Sequence, residues 1–288
     1  MTQRLLSKTL LGVVQLLRPK QWIKNSFLFA PLLFSKLFMD TASIKASCLA
    51  AALFCMASSA VYIVNDMHDR ERDRNHPKKS HTRPLASGAV SLQLARIVLV
   101  LLCATVVAGY WLMPQVVGVI AVYMAINIAY TYRLKHKPVI DIFCIATGFV
   151  LRVYAGMVAL DTAVSQWMLI TTLCLALYLA AIKRLQETRF SNTGGREVLA
   201  NYSIGLLERY AELAATSAIV FYSLFIMQVH PEMAFTVPVV LFGVFRYWYV
   251  VEILDGGESP TDALLMDWPL LVTGCVWVAG CAWSLLYY

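Results

Sequence analysis

Three aspartates and an asparagine stand close together where a long apolar stretch ends. They are Asn65, Asp66, Asp69 and Asp73, and on a helix of 3.6 residues per turn these positions fall within an arc of about 100°. Carboxylates at this spacing repel one another unless a cation lies among them. Mg²⁺ is the usual cation, because it binds one or two carboxylates together with substrate phosphate oxygens. We therefore predict that Asp66, Asp69 and Asp73 bind Mg²⁺, with Asn65 orienting them.

The same segment has a second interpretation as a solvated charged helix at the membrane boundary. Arg70, Arg72 and Arg74 alternate with the acidic residues, and a run of charges is by default a solvated face. Ionisable residues this close to a membrane span are more often functional. The metal and phosphate interpretation is therefore favoured.

Polar and basic residues in other segments are candidates for binding phosphate groups. They are Arg18, Lys24, Asn25, Arg83, Tyr130, Arg133, Lys135, Arg152, Lys183 and Arg184. Lys135 could equally serve only to set the topology of the chain. Arg152 follows Asp141 by eleven residues on about the same helix face. An arginine inside a membrane span is costly unless it is paired, so we expect Arg152 to face Asp141 or a polar cavity.

The elements that position these residues are predicted from composition. Of 288 residues, 59% are hydrophobic and 14% are charged, which excludes a soluble globular domain and a disordered chain. Spanning a bilayer takes about 20 mostly apolar residues, and only helices suit the pattern. We predict a single all-α membrane domain over residues 1–288. It has nine spans, at 25–39, 47–64, 92–111, 115–132, 139–159, 167–182, 212–229, 234–251 and 269–288.

The basic residues indicate which end of the bundle faces the cytoplasm. Most of the 24 lysines and arginines lie in the N-terminal segment and on alternate connections, so these parts and the candidate site are predicted to be cytoplasmic. Residues 1–24 are predicted to form an amphipathic helix at the membrane surface. The net charge of +7 is then explained by basic residues that lie at the membrane surface. The sequence contains no separate basic domain, so nucleic-acid binding is not predicted.

These features resemble the UbiA superfamily of intramembrane prenyltransferases. The pattern Asn-Asp-x-x-Asp-x-x-x-Asp at 65–73 is similar to that family's first aspartate-rich motif, which binds a diphosphate through Mg²⁺. The family usually has a second such motif after the sixth span. Here that region, 183–192, contains no aspartate and begins with Lys183 and Arg184.

In lacking the second aspartate motif, the chain resembles one branch of the family. In that branch a soluble sugar donor supplies the diphosphate. The resemblance implies transfer of 5-phosphoribosyl from 5-phosphoribose 1-diphosphate to a polyprenyl monophosphate for cell-envelope synthesis, in a bacterial cytoplasmic membrane. It implies that Arg18, Lys24 and Asn25 bind the donor's phosphates and that Asp141 contacts the ribose hydroxyls or a water on the metal. Arg83, Arg152, Lys183 and Arg184 are the corresponding candidates for the lipid phosphate.

Two other functions are also compatible with the sequence. A prenyltransferase that moves a polyprenyl group from its diphosphate to an aromatic or lipid acceptor would use the same fold and first motif. A transporter or channel is the non-enzyme alternative, but the carboxylates cluster at one boundary and no paired mid-membrane charges are evident. The length of the polyprenyl chain and any homo-oligomer are not determined by the sequence.

Overall fold

The computed structural model describes residues 2–75, 79–189, 197–254, 263 and 266–287, and no strand occurs among them. Its α-helices, numbered in chain order, are α1 (Thr2–Leu17), α2 (Ala30–Phe34), α3 (Thr41–His68), α4 (Arg70–Arg74), α5 (Lys79–Thr82), α6 (Leu92–Ala108), α7 (Pro114–Tyr132), α8 (Ile140–Ala159), α9 (Gln166–Arg189), α10 (Ile204–Val229), α11 (Thr236–Glu252) and α12 (Trp268–Tyr287). A 3-10 helix, Pro19–Phe29, joins α1 to α2. The prediction of an all-α protein is confirmed.

Seven of the described helices are long and apolar enough to cross a membrane. They are Thr41–His68, Leu92–Trp111, Pro114–Tyr132, Ile140–Ala159, Gln166–Arg189, Ile204–Val229 and Trp268–Tyr287. Helix α11 has 17 residues, close to the lower limit for a span. A multi-pass membrane protein is therefore confirmed, and the count of nine spans stays a prediction.

The first predicted span, 25–39, is wrong as a single regular helix. The chain instead forms the 3-10 helix and the five-residue helix α2. Pro31 in the first turn of α2 has no N–H to continue a hydrogen-bond ladder. A 3-10 helix rises about 2 Å per residue, so the segment still extends through much of the bundle. It packs very closely on α8, where a Cβ added to Gly156 would lie 2.1 Å from the Leu28 carbonyl oxygen.

The sixth and seventh predicted spans also have different ends. Helix α9 continues through Lys183 to Arg189, although the sequence predicted a loop from Lys183. Helix α10 begins at Ile204, where the Ser203 hydroxyl caps it by accepting a hydrogen bond from the Leu206 N–H at 3.2 Å. The polar residues from Lys183 to Arg189 are mostly good helix formers. Their side chains are therefore positioned by helix α9 and not by a loop.

Helix length explains why the polar residues collect at one end of the bundle. Helix α3 has 28 residues, which makes it about 42 Å long and longer than a hydrocarbon core of about 30 Å. Helix α3 therefore has more turns than a span requires, and Asn65 and Asp66 lie on its last turns. Consecutive helices pack side by side in chain order, α7 on α8, α8 on α9 and α9 on α10. Hydrogen bonds link the C-terminal end of α3 to the connection between α7 and α8, and the C-terminal end of α9 to the ends of α7 and α8.

Candidate active site

The Asp66 carboxylate is buried near the end of α3 and is held by two arginines. Arg18 donates a hydrogen bond to Asp66 Oδ1, and Arg83 Nη1 donates to the same oxygen at 2.9 Å. Asp66 is only 2% exposed. Its other oxygen, Oδ2, is buried without a hydrogen-bond partner among the residues that the structure describes. A buried carboxylate oxygen of this kind calls for an additional ligand.

Asp69 lies just beyond α3 and is paired with Lys135. The Lys135 ammonium Nζ donates to Asp69 Oδ1 at 2.6 Å, and the Lys135 side chain is 4% exposed. Burial raises the pKa of the Asp69 carboxyl, but the hydrogen bond and charge of Lys135 outweigh it, and the pKa lies below its usual value. Asp69 is therefore ionised at neutral pH. Lys135 contacts the acidic group directly, in addition to any role in topology.

The three aspartates follow one another at helical spacing, as the sequence indicated. The Asp69 N–H donates to the Asn65 carbonyl at 2.9 Å, and the Asp73 N–H donates to the Asp69 carbonyl at 2.8 Å. Asp73 itself is buried on α4. The helical hydrogen-bond pattern therefore continues from α3 into α4, and the three carboxylates lie at one end of the bundle.

The donor chemistry of this acidic group fits Mg²⁺, although its present partners are cations of the protein. In the described part of the chain, no three His, Cys, Asp or Glu side chains converge closely enough to hold a metal ion. Hard carboxylate oxygens are nevertheless the ligands that Mg²⁺ prefers. The unsatisfied Oδ2 of Asp66 is the observation that favours a ligand role.

A second buried charged group joins α8 to the end of α9. Arg184 Nε donates to Asp141 Oδ2 at 2.5 Å, and both side chains are fully buried. The Arg184 Nη1 atom donates to Glu187 Oε2 at 2.5 Å, and its Nη2 atom donates to the Tyr130 hydroxyl at 2.8 Å. The Tyr202 hydroxyl donates to the remaining oxygen of Asp141 at 2.7 Å. Both Asp141 oxygens thus accept bonds from the chain itself, and a contact with ribose would require one to be exchanged.

Arg152 was expected to face Asp141 or a polar cavity, and the first of these alternatives is wrong, because Asp141 pairs with Arg184. Arg152 Nε donates instead to Asn25 Oδ1 on the 3-10 helix at 2.7 Å. Its Nη1 atom donates to the Gly148 carbonyl at 2.7 Å, and its Nη2 atom donates to the Tyr123 hydroxyl at 3.2 Å. Arg152 is 4% exposed. It therefore fixes the 3-10 helix against α8 through Asn25.

The other predicted site residues lie on the same elements and differ in their exposure. Lys24 on the 3-10 helix, Asn65 on α3 and Lys183 on α9 are half-buried, and Arg133 after α7 is exposed. The structure thus brings Asp66, Arg18 and Arg83 together, pairs Asp69 with Lys135, and separates Arg152 from the acidic group.

Two residues of the site were missed from the sequence. Glu187 lies three residues after Arg184, a spacing at which helical side chains meet, but the segment was interpreted as a loop. Tyr202 lies 61 residues beyond Asp141, and no local pattern indicates its contact. Had the end of α9 been predicted correctly, the sequence would have indicated the contact between Glu187 and Arg184. The contact of Tyr202 with Asp141 is visible only in the packed structure.

An apolar cavity of about 600 Å³ lies among the 3-10 helix, α2, α9, α10, α11 and α12. Phe27, Thr172, Ala218 and Trp277 are among the residues that line it. Along α9, Thr172 precedes Arg184 by twelve residues, or about 18 Å at 1.5 Å per residue. The cavity is therefore deeper in the bundle than the charged groups and could hold a hydrocarbon chain whose head lies near them.

A helical membrane bundle with carboxylates and cations collected at one end, and an apolar cavity deeper between the helices, has the arrangement of a membrane-embedded transferase for lipid substrates. The family model described as "UbiA prenyltransferase family" matches residues 28–271. The chain belongs to this family. The resemblance stated from the sequence is confirmed, and with it the expectation of a membrane enzyme.

Individual relatives agree with this assignment. The decaprenyl-phosphate phosphoribosyltransferase of Mycobacterium tuberculosis is 34% identical over 282 residues, which cover 93% of this chain and 92% of that protein. The protein of the same name from Mycolicibacterium smegmatis is 38% identical over 217 residues, 73% of this chain and 68% of that protein. A solved UbiA homolog from Archaeoglobus fulgidus, bound to GPP and Mg²⁺, has a TM-score of 0.75 at 19% identity, covering 96% of this chain and 99% of that one. This last likeness shows the fold.

Proposed function

We propose that the protein transfers 5-phosphoribosyl from 5-phosphoribose 1-diphosphate to a decaprenyl-type polyprenyl monophosphate and releases diphosphate. The observation that carries the proposal is at the end of α9, where Arg184 is buried against Asp141. The family resemblance implies a second aspartate motif in that region. In this chain the Arg184 guanidinium occupies that region and pairs with both Asp141 and Glu187. Among the described residues, this leaves the group of Asp66, Asp69 and Asp73 to receive a metal-bound diphosphate. The names of the relatives at 34% and 38% identity support this choice.

The donor's diphosphate would bind at the acidic group. Asp66, Asp69 and Asp73 would hold Mg²⁺, which neutralises a diphosphate and makes it a better leaving group when it is bound. Arg18 and Lys135 already contact these carboxylates. They are therefore near enough to donate hydrogen bonds to the phosphate oxygens of the donor once the carboxylates take another partner.

Donor binding would also use the 3-10 helix. Lys24 and Asn25 follow Arg18 on this segment, and Arg152 fixes the Asn25 amide oxygen at 2.7 Å. Arg152 thereby orients the segment without needing to touch the donor. This orientation keeps Arg18, which precedes the segment, beside Asp66.

The lipid phosphate would be the nucleophile. One of its oxygens attacks C1 of the ribose, the bond from C1 to the diphosphate oxygen breaks, and diphosphate leaves with inversion at C1. The nucleophile is already an anion, so no general base is needed, and catalysis comes from positioning and charge neutralisation. Arg152 and Arg184 are buried, whereas the side chains of Arg83 and Lys183 are partly exposed, so we assign the lipid phosphate to Arg83 and Lys183.

The polyprenyl chain would occupy the apolar cavity. A cavity of about 600 Å³ is of the size that small-molecule sites have, but it is too small for a long polyprenyl chain. The units nearest the phosphate would therefore bind in the cavity, and the rest would extend into the bilayer. This division matches a substrate that enters from the membrane.

The membrane topology that goes with this function has the charged end in the bacterial cytoplasm. The 3-10 helix with α2 and helix α11 would complete nine spans, with the N-terminus inside, which the distribution of lysine and arginine favours. A soluble sugar donor would then reach the site from the cytoplasm. The phosphoribosyl lipid would serve cell-envelope synthesis.

The test is a transfer assay on the detergent-purified protein. Radiolabelled 5-phosphoribose 1-diphosphate, decaprenyl monophosphate and Mg²⁺ should give organic-soluble label that EDTA abolishes. Asp66→Asn should lower turnover by about 100-fold or more, because it removes an anionic ligand of the Mg²⁺ that would neutralise the leaving diphosphate. Glu71→Gln is the matched control, because the Glu71 side chain is 75% exposed, and it should keep its activity.

The alternative of prenyl transfer is tested in parallel with decaprenyl diphosphate and an aromatic acceptor. No label from the sugar donor, together with transfer from the prenyl diphosphate, would contradict the proposal. Full activity of the folded Asp66→Asn variant would contradict the metal assignment alone.

A further inference from the structure

The connection between α7 and α8 contains a strained backbone turn at Val139. Val139 has φ +67° and ψ −48°, and the Ile140 N–H donates to the Pro138 carbonyl at 2.8 Å. This is a γ-turn with positive φ, a rare conformation in any residue and a clear outlier in a β-branched one. Such strain persists only where surrounding contacts hold it.

The contact that holds this turn comes from Tyr202, just before α10. The Val139 N–H donates to the Tyr202 hydroxyl oxygen at 2.5 Å, and the same hydroxyl donates to Asp141 Oδ1 at 2.7 Å. Tyr202 is 6% exposed. Burial raises the pKa of the Tyr202 hydroxyl above its usual value, so it stays protonated and can accept from one partner while donating to the other.

The turn lies between two charged side chains of the site. Lys135 precedes Val139 by four residues and reaches Asp69 at 2.6 Å. Asp141 follows it by two residues and binds Arg184 at 2.5 Å. Because the connection is short, a change of φ at Val139 would redirect the chain on both sides. The backbone at this one residue thus sets the position of an ammonium group and a carboxylate.

We propose that Tyr202 is a positioning residue, whose hydroxyl holds the strained Val139 turn and so keeps Lys135 beside Asp69. The proposal rests on the proposed function, because Lys135 acts there on the donor's phosphates. Tyr202 itself does not touch the substrate. Removing its hydroxyl should therefore be compensated by a residue that adopts positive φ without strain, which is glycine.

The experiment compares Tyr202→Phe, Val139→Gly and the double variant in the full-length protein. Tyr202→Phe should lower kcat/KM for 5-phosphoribose 1-diphosphate about tenfold, since it loses a hydrogen bond to a charged group. The KM for decaprenyl monophosphate should stay the same. Adding Val139→Gly to Tyr202→Phe should restore at least about a third of the lost activity. Tyr210→Phe on α10 is the matched control and should behave as the wild type.

Loss of activity without any rescue by Val139→Gly would overturn the proposal, and so would full activity of Tyr202→Phe. If Tyr202→Phe is not recovered from the membrane, recovery of the double variant supports the proposal and its loss overturns it. Hydrogen exchange separates this test from the proposed function. Amides in 133–141 should exchange about tenfold faster in Tyr202→Phe than in the wild type, and unchanged exchange overturns the proposal even if the wild type transfers no phosphoribosyl group.

Discussion

The substitution Asp141→Asn tests the buried ion pair that joins α8 to α9. Asn has nearly the shape of Asp, and its amide oxygen can still accept the hydrogen bond from Tyr202. Its amide nitrogen would face the Nε donor of Arg184, which Asp141 now binds at 2.5 Å. Because both Asp141 and Arg184 are fully buried, the guanidinium would lose a partner in a place that water does not reach.

The size of the effect follows from this burial. Removing one partner of a buried ion pair costs about 3–5 kcal/mol of unfolding free energy. Glu187 remains bound to Arg184 at 2.5 Å and its side chain is one-quarter exposed, so the lower end of that range is expected. At roughly 2–4 °C per kcal/mol, a loss of about 3 kcal/mol should lower Tm by about 6–12 °C.

The assay is thermal unfolding of the purified protein in detergent, followed by size-exclusion recovery. Glu208→Gln is the matched control, because its pair with Arg189 is partly exposed and such pairs contribute at most about 1 kcal/mol. Adding Arg184→Met to Asp141→Asn removes the stranded charge, so the double variant should recover part of the lost Tm. A Tm of Asp141→Asn equal to that of the control would refute the buried pairing.

Two other substitutions test the packing around the site. Gly156→Ala should lower the unfolding free energy by roughly 1–3 kcal/mol, because its Cβ would lie 2.1 Å from the Leu28 carbonyl oxygen. The control is Gly274→Ala, whose Cβ would have no atom within 4 Å. In denaturant titrations this control should be as stable as the wild type or more stable. Ala218→Phe, in the wall of the apolar cavity, should raise the KM for decaprenyl monophosphate several-fold and leave the KM for the sugar donor unchanged. Equal stability of the two glycine variants, or equal changes in both KM values, would contradict these expectations.

The sequence by itself determined the features that depend on residues close together in the chain. Runs of about 20 apolar residues specify membrane helices because lipid cannot hydrogen-bond an open backbone. The spacing of Asp66, Asp69 and Asp73 specifies successive helical turns, which the structure divides between the end of α3 and α4, because helical geometry is local. The same short motif carried the resemblance to the family. The match of the family model to residues 28–271 confirms it.

Helix ends were less determined by the sequence. The span 25–39 and the end of α9 were wrong because hydropathy marks the apolar part of a helix, whereas propensity, caps and packing decide where the helix stops. The 3-10 helix depends on its close contact with Gly156 of α8. No pattern within the segment itself indicates that neighbour.

Only the tertiary structure decided which charges are paired. Arg152 and Asp141 lie on one helix at a spacing that suggested a pair, but Asp141 is 43 residues from its partner Arg184 and 61 from Tyr202. Buried charges take whichever partner the packing of helices brings within hydrogen-bond distance. The sequence determines which charged groups need a partner. The arrangement of α8, α9 and the segment before α10 determines which residues become those partners.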